Sequence, residues 1–232
     1  MGVHFLRRNT VKLLNQCAID FLAKQPSESI DLVVTDPPYK VTSRGGYTSA
    51  GGMMLTKDMR EGKVFKNNDV TIENWISDLY RVLKNGGHCY IMCNNKNLQT
   101  YINAATAAGF HFVKNLIWVK NNKIMSQMYM SQFEYVLFLR KGKAKKVNNC
   151  GVSDVLFFDN PKQKDHPTQK PVELFSMLIN QSSNAGDIVL DPFMGTGAAA
   201  LACLHTNRDF IGVEIDNGYF ATAEEKFSNA LL

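Results

Sequence analysis

DIVLDPFMGTGAAALAC, from Asp187 to Cys203, passes from a short apolar run through a turn with two glycines into an alanine-rich stretch. That is the pattern of a strand, a tight turn and a helix. Gly195 and Gly197 let backbone approach a ligand closely, and a helix starting at Ala198 to Ala200 aims its first N–H groups into the same space. The following strand, FIGVEID, delivers Glu214 nineteen residues beyond Gly195. In a βαβ unit an acid at that place can accept both hydroxyls of an adenosine ribose, so these residues read as a nucleoside cofactor site.

The spacing Gly195, Gly197, Ala200 also fits the dinucleotide fingerprint, and a nicotinamide enzyme has to be weighed. Asp191 counts against it. A carboxylate at the strand end would face the doubly charged pyrophosphate of such a cofactor at a Coulombic cost. S-adenosylmethionine carries a sulfonium and an ammonium instead, and acids suit it.

Working outward, short β-type runs alternate with amphipathic helical stretches, which implies a doubly wound α/β fold, a mostly parallel sheet with helices on both faces. Seven strands are expected, at Lys12–Leu14, Asp31–Thr35, His88–Cys93, Phe112–Val119, Phe133–Leu139, Ile188–Leu190 and Phe210–Val213. Helices are expected at Thr71–Leu83 with KNGG as its stop, Lys96–Ala108, Pro171–Gln181, Gly197–His205 and Asn217–Ala230. Residues 1–232 read as one domain. Two stretches without pattern, about 40–68 and about 141–165, stand where a sheet enzyme places substrate-contacting loops, the first as a mobile loop.

The strand VVT, Val33 to Thr35, ends in DPPYK. Beside a methyl donor this motif has a chemical meaning. The exocyclic amine of adenine is a poor nucleophile because its lone pair is delocalised into the ring, so a catalyst has to draw that nitrogen toward tetrahedral geometry. The Asp36 carboxylate can accept one N–H and the Pro37 carbonyl the other. Pro37 and Pro38 fix φ and bring no N–H of their own, which holds that carbonyl in place. Tyr39 can stack on the base, a contact worth about 1–3 kcal/mol. A bland reading, an Asp-Pro-Pro turn ending a strand, loses ground because both strand ends open onto one edge of a doubly wound sheet.

Composition is that of a soluble globular protein, 45% hydrophobic and 20% charged, with no apolar run that spans a bilayer and no secretory signal at MGVHFLRRNT, so the cytoplasm is expected. Five cysteines without paired spacing argue against a zinc site and a disulfide framework, and no metal is expected. Net charge is +5, and RKGKAKK, Arg140 to Lys146, concentrates five cations in seven residues. Trp75 and Trp118 read as core. His166 in HPTQKP reads as a loop-shaping residue.

VVTDPPY, WISDLYRVLKNGGHCYIMC, WVKNN, HPTQKPVELF, DPFMGTG and FIGVEID occur in that order over nearly the whole chain. In this the sequence resembles the beta-class amino methyltransferases of DNA, adenine-N6 type. The resemblance implies a Rossmann-like methyltransferase fold and transfer of a methyl group from S-adenosylmethionine to adenine N6 in double-stranded DNA after base flipping. It implies that Asp36, Pro37, Pro38 and Tyr39 hold the flipped base. Asp36, Asp191, Phe193, Gly195, Thr196, Gly197 and Glu214 would hold the cofactor, with Lys170 near its carboxylate. Cys17 and Ala18 lie in NQCAID, which resembles the segment contacting the cofactor's adenine, although the family often has an acid at Cys17. Cytosine N4, RNA or a protein amide remain alternative methyl acceptors, as does a DNA-binding regulator with a dead site. In a DNA enzyme, Arg44, Lys57 and Arg60 of the first loop and Lys141, Lys143, Lys145 and Lys146 of a short target-recognition segment are expected on phosphates. A homodimer is expected, with a cognate restriction endonuclease as a further partner the resemblance admits.

Overall fold

The computed structural model describes residues 9–38, 70–124, 128–161 and 169–231. Eight strands form one sheet, β1 (Val11–Asn15), β2 (Ile30–Thr35), β3 (Leu83–Cys93), β4 (His111–Ile124), β5 (Ser131–Arg140), β6 (Val155–Phe157), β7 (Ile188–Asp191) and β8 (Asp209–Glu214). Their order is β1-β8-β7-β2-β3-β5-β4-β6. β5 runs antiparallel to both its neighbours, and every other pairing is parallel. The helices are α1 (Ala18–Lys24), α2 (Ile76–Val82), α3 (Leu98–Ala107), α4 (Val172–Ser182), α5 (Ala198–His205) and α6 (Asn217–Asn229), with a short 3₁₀ turn at Ile72–Asn74.

Strand alternation sorts the core into two layers. On β2 and β3, Val33, Cys89, Ile91 and Cys93 meet α1, α2 and α3, while Leu32, Val34, Tyr90 and Met92 meet α4, α5 and α6. Trp75 and Trp118 are each buried, one in either layer, as expected of core residues. The Arg81 guanidinium donates to the Leu22 and Gln25 carbonyls and so ties down the end of α1.

Three elements differ from the sequence expectation. The sheet has eight strands rather than seven, because the three residues of β6 pair with Ile117 to Val119 of β4 inside a segment that lacks a strand-length apolar run. Helix α1 was not expected, although Ala18, Phe21 and Leu22 already carry its buried stripe. The expected helix 71–83 divides into the 3₁₀ turn and α2, and KNGG lies in the bulged start of β3, where the Gly86 N–H bonds the Lys141 carbonyl.

Candidate active site

From β2 the chain order proceeds outward to β3, β5, β4 and β6 on one side and to β7 and β8 on the other. The β2–β7 boundary is therefore the switch point of the sheet, and a crevice opens beyond the carboxyl ends of these strands. A side-chain hydrogen bond crosses it. The Thr35 hydroxyl donates to Asp191 Oδ1 at 2.6 Å, and the Phe193 N–H donates to the same oxygen at 3.0 Å. Asp191 is 2% exposed. Burial pushes its carboxyl up to about 7, with the two hydrogen bonds opposing and the charges of Asp36 and Glu214 adding to the rise.

Beyond Asp191 the chain makes the glycine turn. Gly195 has φ 54° and Gly197 φ 83°, in the left-handed region that favours glycine. A Cβ at Gly197 would lie 3.1 Å from the Ala223 Cβ, so this position also needs the missing side chain for α6 to pack. A Cβ at Gly195 would meet nothing within 4 Å, and the backbone there faces open space. Glu214, at the end of β8, accepts from Gly195 N at 3.0 Å on Oε2 and from Asp216 N at 2.8 Å on Oε1. Each carboxylate oxygen keeps a second lone pair for a ligand hydroxyl. Burial raises its pKa, and these N–H donors oppose the rise. Cys17 and Ala18 lie beside it, where the Gln16 N–H bonds the Glu214 carbonyl.

Asp36 follows Val34 by two residues, on the α4 side of the sheet, and there it meets Lys170, just ahead of α4. Lys170 Nζ is 2.8 Å from Asp36 Oδ2 and 3.2 Å from Glu134 Oε2. Lys120 of β4 bonds the other oxygen of Glu134. The Trp118 ring backs both ammonium groups, with its centroid 5.2 Å from Lys120 and 6.0 Å from Lys170. Its indole N–H is taken by the Phe158 carbonyl at 2.8 Å. Asp36, Lys170, Glu134 and Lys120 thus form a chain of alternating charge. Asp36 Oδ1 is buried and has no hydrogen-bond partner among the described residues. Leaving such an acceptor unpaired costs about 1–3 kcal/mol, a cost met where a ligand completes the site. Burial pushes the Asp36 carboxyl up, Lys170 pulls it back, and Glu134 adds to the rise. Burial acts on Glu134 in the same sense, but Lys170 and Lys120 outweigh it and hold that carboxyl below its ordinary range.

Asp36, Lys170, Asp191, Phe193, Gly195, Thr196, Gly197, Glu214, Cys17 and Ala18 therefore gather at one sheet edge. Pro37 is buried and Pro38 half-buried. Tyr39, Arg44, Lys57 and Arg60, with the loop expected at about 40–68, lie outside the described residues, as does His166. Lys170, expected near a cofactor carboxylate, is placed against Asp36 and Glu134.

The basic run does not join the site. Because β5 is antiparallel, Arg140 pairs with His88, midway along β3, and with His111 at the start of β4, and the chain leaves β5 at the edge opposite the crevice. Lys141 is moreover 9% exposed, with Nζ 2.7 Å from the Leu83 carbonyl and 4.8 Å from the Tyr80 ring centroid. It ties off the end of α2, and its ammonium is taken up there, whereas it was expected on phosphates. Lys143, Lys145 and Lys146 are exposed on that far edge. Sequence reasoning also passed over Glu134 and Lys120. Their signal was a charge inside each of two otherwise apolar strands, FEYVLFL and LIWVK.

A doubly wound sheet with three carboxylates and a glycine turn at its switch point is the Rossmann-like arrangement of enzymes that bind a nucleoside cofactor. The acids and the open space over Gly195 fit a cationic cofactor. The chain belongs to the DNA amino methyltransferases, since the N6/N4 methyltransferase family, described as DNA methylase, matches residues 30–225. It is 28% identical over 246 aligned positions to the Type II methyltransferase M2.DpnII of Streptococcus pneumoniae, covering 96% of this chain and 91% of that one. The crystal structure of an M1.HpyAVI–SAM complex superposes with a TM-score of 0.72 at 27% identity, covering 94% of this chain and 100% of the other. The cytosine-N4-specific PvuII DNA methyltransferase superposes with a TM-score of 0.73 over 96% of this chain and 91% of its own, but at 17% identity that likeness speaks for the fold alone. Among the described residues no cluster of His, Cys, Asp or Glu is placed to hold a metal ion, and no helix is long and apolar enough to cross a membrane.

Proposed function

We propose that this chain methylates the N6 amine of adenine in double-stranded DNA, with S-adenosylmethionine as methyl donor and the target base flipped out of the duplex. The observation that carries the reading is the buried Oδ1 of Asp36, without a hydrogen-bond partner among the described residues, at the same crevice as the glycine turn. It is an acceptor in want of a donor, on a carboxylate whose other oxygen is already held by Lys170. Adenine N6 offers two N–H groups, one for Asp36 and one for the Pro37 carbonyl, and this pairing draws the amine out of conjugation with the ring. Tyr39, next in the motif, is assigned to stacking on the base. Such a site admits a base only once it has left the stack.

Glu214, Gly195, Gly197, Phe193, Thr196 and Asp191 are the residues that would hold the cofactor, with Cys17 and Ala18 at its adenine end. S-adenosylmethionine supplies, when bound, a methyl group made electrophilic by the positive sulfonium. Asp191 and Asp36 favour that positive charge, and Glu214 can accept ribose hydroxyls on its remaining lone pairs. An acid before PPY favours adenine over cytosine N4. The likeness to a Type II methyltransferase supports a place in restriction and modification, with a cognate endonuclease as partner, in the cytoplasm, and the family resemblance supports a homodimer.

The decisive measurement is transfer of labelled methyl from S-adenosylmethionine to unmethylated duplex DNA, followed by nucleoside analysis. N6-methyladenine is expected, with Asp36→Ala losing orders of magnitude in rate while retaining the cofactor. Label on cytosine N4, or near-normal turnover by Asp36→Ala, refutes the reading.

A further inference from the structure

We propose that Lys170, clamped between Asp36 and Glu134, is a positioning residue that keeps the Asp36 carboxylate ionised and turned so that Oδ1 faces the reacting amine. The inference rests on the proposed role of Asp36 as amine acceptor and deepens it. A carboxylate on a free χ2 torsion presents either oxygen to the site. Here Oδ2 is fixed at 2.8 Å from an ammonium that is itself 4% exposed, so the orientation of Oδ1 follows.

The ammonium is fixed in turn. Glu134 Oε2 lies 3.2 Å away on its other side, and Lys120 takes Glu134 Oε1, so that Glu134 cannot swing away without withdrawing its charge from the buried Lys170 and the half-buried Lys120. The rigid Trp118 ring lies against both lysines. The parts come from separate places in the chain, β2, the segment before α4, β5 and β4, and meet only in the folded sheet.

The other titratable groups close enough to interact with Asp36 are Cys93 of β3, Tyr101 of α3 and Asp191 of β7, each of whose own ionisation its charge disfavours. None of them is a cation. Among the described residues, Lys170 is thus the main positive charge opposing protonation of Asp36, with Lys120 weaker. A protonated Asp36 would lose the acceptor strength the reaction needs. Removing Lys170 would leave Asp36 and Glu134 as neighbouring carboxylates, whereas removing the charge of Glu134 would relieve Asp36 of a competitor for the same ammonium. The two changes should move the acid in opposite directions.

The test combines the pH dependence of kcat for methyl transfer with carbon-13 NMR titration of the Asp36 carboxyl in the ligand-free protein, its signal assigned by its loss in Asp36→Asn. Lys170→Met should raise the Asp36 titration and the acid limb of kcat together by about one pH unit or more, because an opposite charge within a few ångströms shifts a carboxylate by that much. Lys170→Arg should restore most of the shift, and Glu134→Gln should lower both. If Lys170→Met instead raises the KM for S-adenosylmethionine and leaves the titration and the limb unmoved, Lys170 serves the cofactor and the proposal falls. If Lys170→Met does not fold, an unmoved titration in Glu134→Gln overturns the proposal equally. A wild-type protein that methylates no adenine would refute the proposed function, and the NMR titrations would still decide whether Lys170 governs Asp36.

Discussion

Asp191 should act as a proton switch on stability. Its carboxyl titrates at about 7 in the folded protein against an ordinary value of 3.8, because burial disfavours the charge. A group raised in this way stabilises the fold fully only below its unfolded pKa, and the contribution is lost as pH rises through the folded one. Integrating the two titrations from about pH 5 to about pH 8 gives a loss of roughly 2–3 kcal/mol from this residue alone. Asp191→Asn removes the ionisation and keeps an oxygen to accept from Thr35 and Phe193. Urea unfolding of both proteins, ligand-free, at the two pH values should therefore show the asparagine variant gaining on the wild type by about that amount as pH rises, titrating groups away from Asp191 cancelling in the difference. A cationic ligand reverses the effect. Wild-type S-adenosylmethionine binding near pH 6.5 should release a large fraction of a proton, measurable by titration calorimetry in buffers of different ionisation enthalpy. Parallel stability curves for the two proteins, or binding without proton release, would refute the reasoning.

Glu214→Ala should weaken S-adenosylmethionine by about 1.5–3 kcal/mol in calorimetric titration, the range for hydrogen bonds to a charged group. Replacing Arg44, Lys57 and Arg60 together should flatten the salt dependence of DNA binding, by about 0.9 in slope for each phosphate that is no longer neutralised. Replacing Lys143, Lys145 and Lys146 should leave that slope unchanged, since the run from His88 to Cys93 alone separates the two sheet edges by about 17 Å, beyond the ~10 Å screening length at moderate salt. His88, held by Ser182 at 2.7 Å and the Lys145 carbonyl at 3.1 Å, has its pKa lowered by burial. Its contribution to stability is present above the ordinary value of 6.5 and lost as pH falls toward the folded one, so the stability difference between wild type and His88→Gln should change across mild acid in denaturant unfolding.

The elements that build the crevice were legible because each is marked locally. β2 is a short, mostly apolar run followed by an acid and β7 one ending in an acid, and the glycine turn names its own geometry through Gly195 and Gly197. Glu214 was found because it lies one strand on in the same βαβ unit. Glu134 and Lys120 were not, because they reach the crevice through sheet order. β5 and β4 stand two and three places from β2, and no spacing in the chain encodes that adjacency. β6 is too short to declare itself, and its place depends on a partner strand more than thirty residues earlier. Lys141, expected on phosphates, lies at the edge opposite the crevice for one reason, the direction of β5. Nearness in sequence to a cleft segment became distance in space when the strand reversed.

That reversal also divides the molecule's labour. Every strand but β5 ends at the crevice edge, so the connections after β2 and β6 leave the sheet there, together with the turn joining β4 to β5. A longer or shorter β4–β5 turn would alter what borders the crevice without disturbing strand pairing below Ile124 and Ser131. The opposite edge, with its lysines and the buried His88–Ser182–Tyr90 chain, can vary in charge or length without reaching the chemistry. The rim turns can therefore change in length and composition while the carboxylates beneath them stay in register.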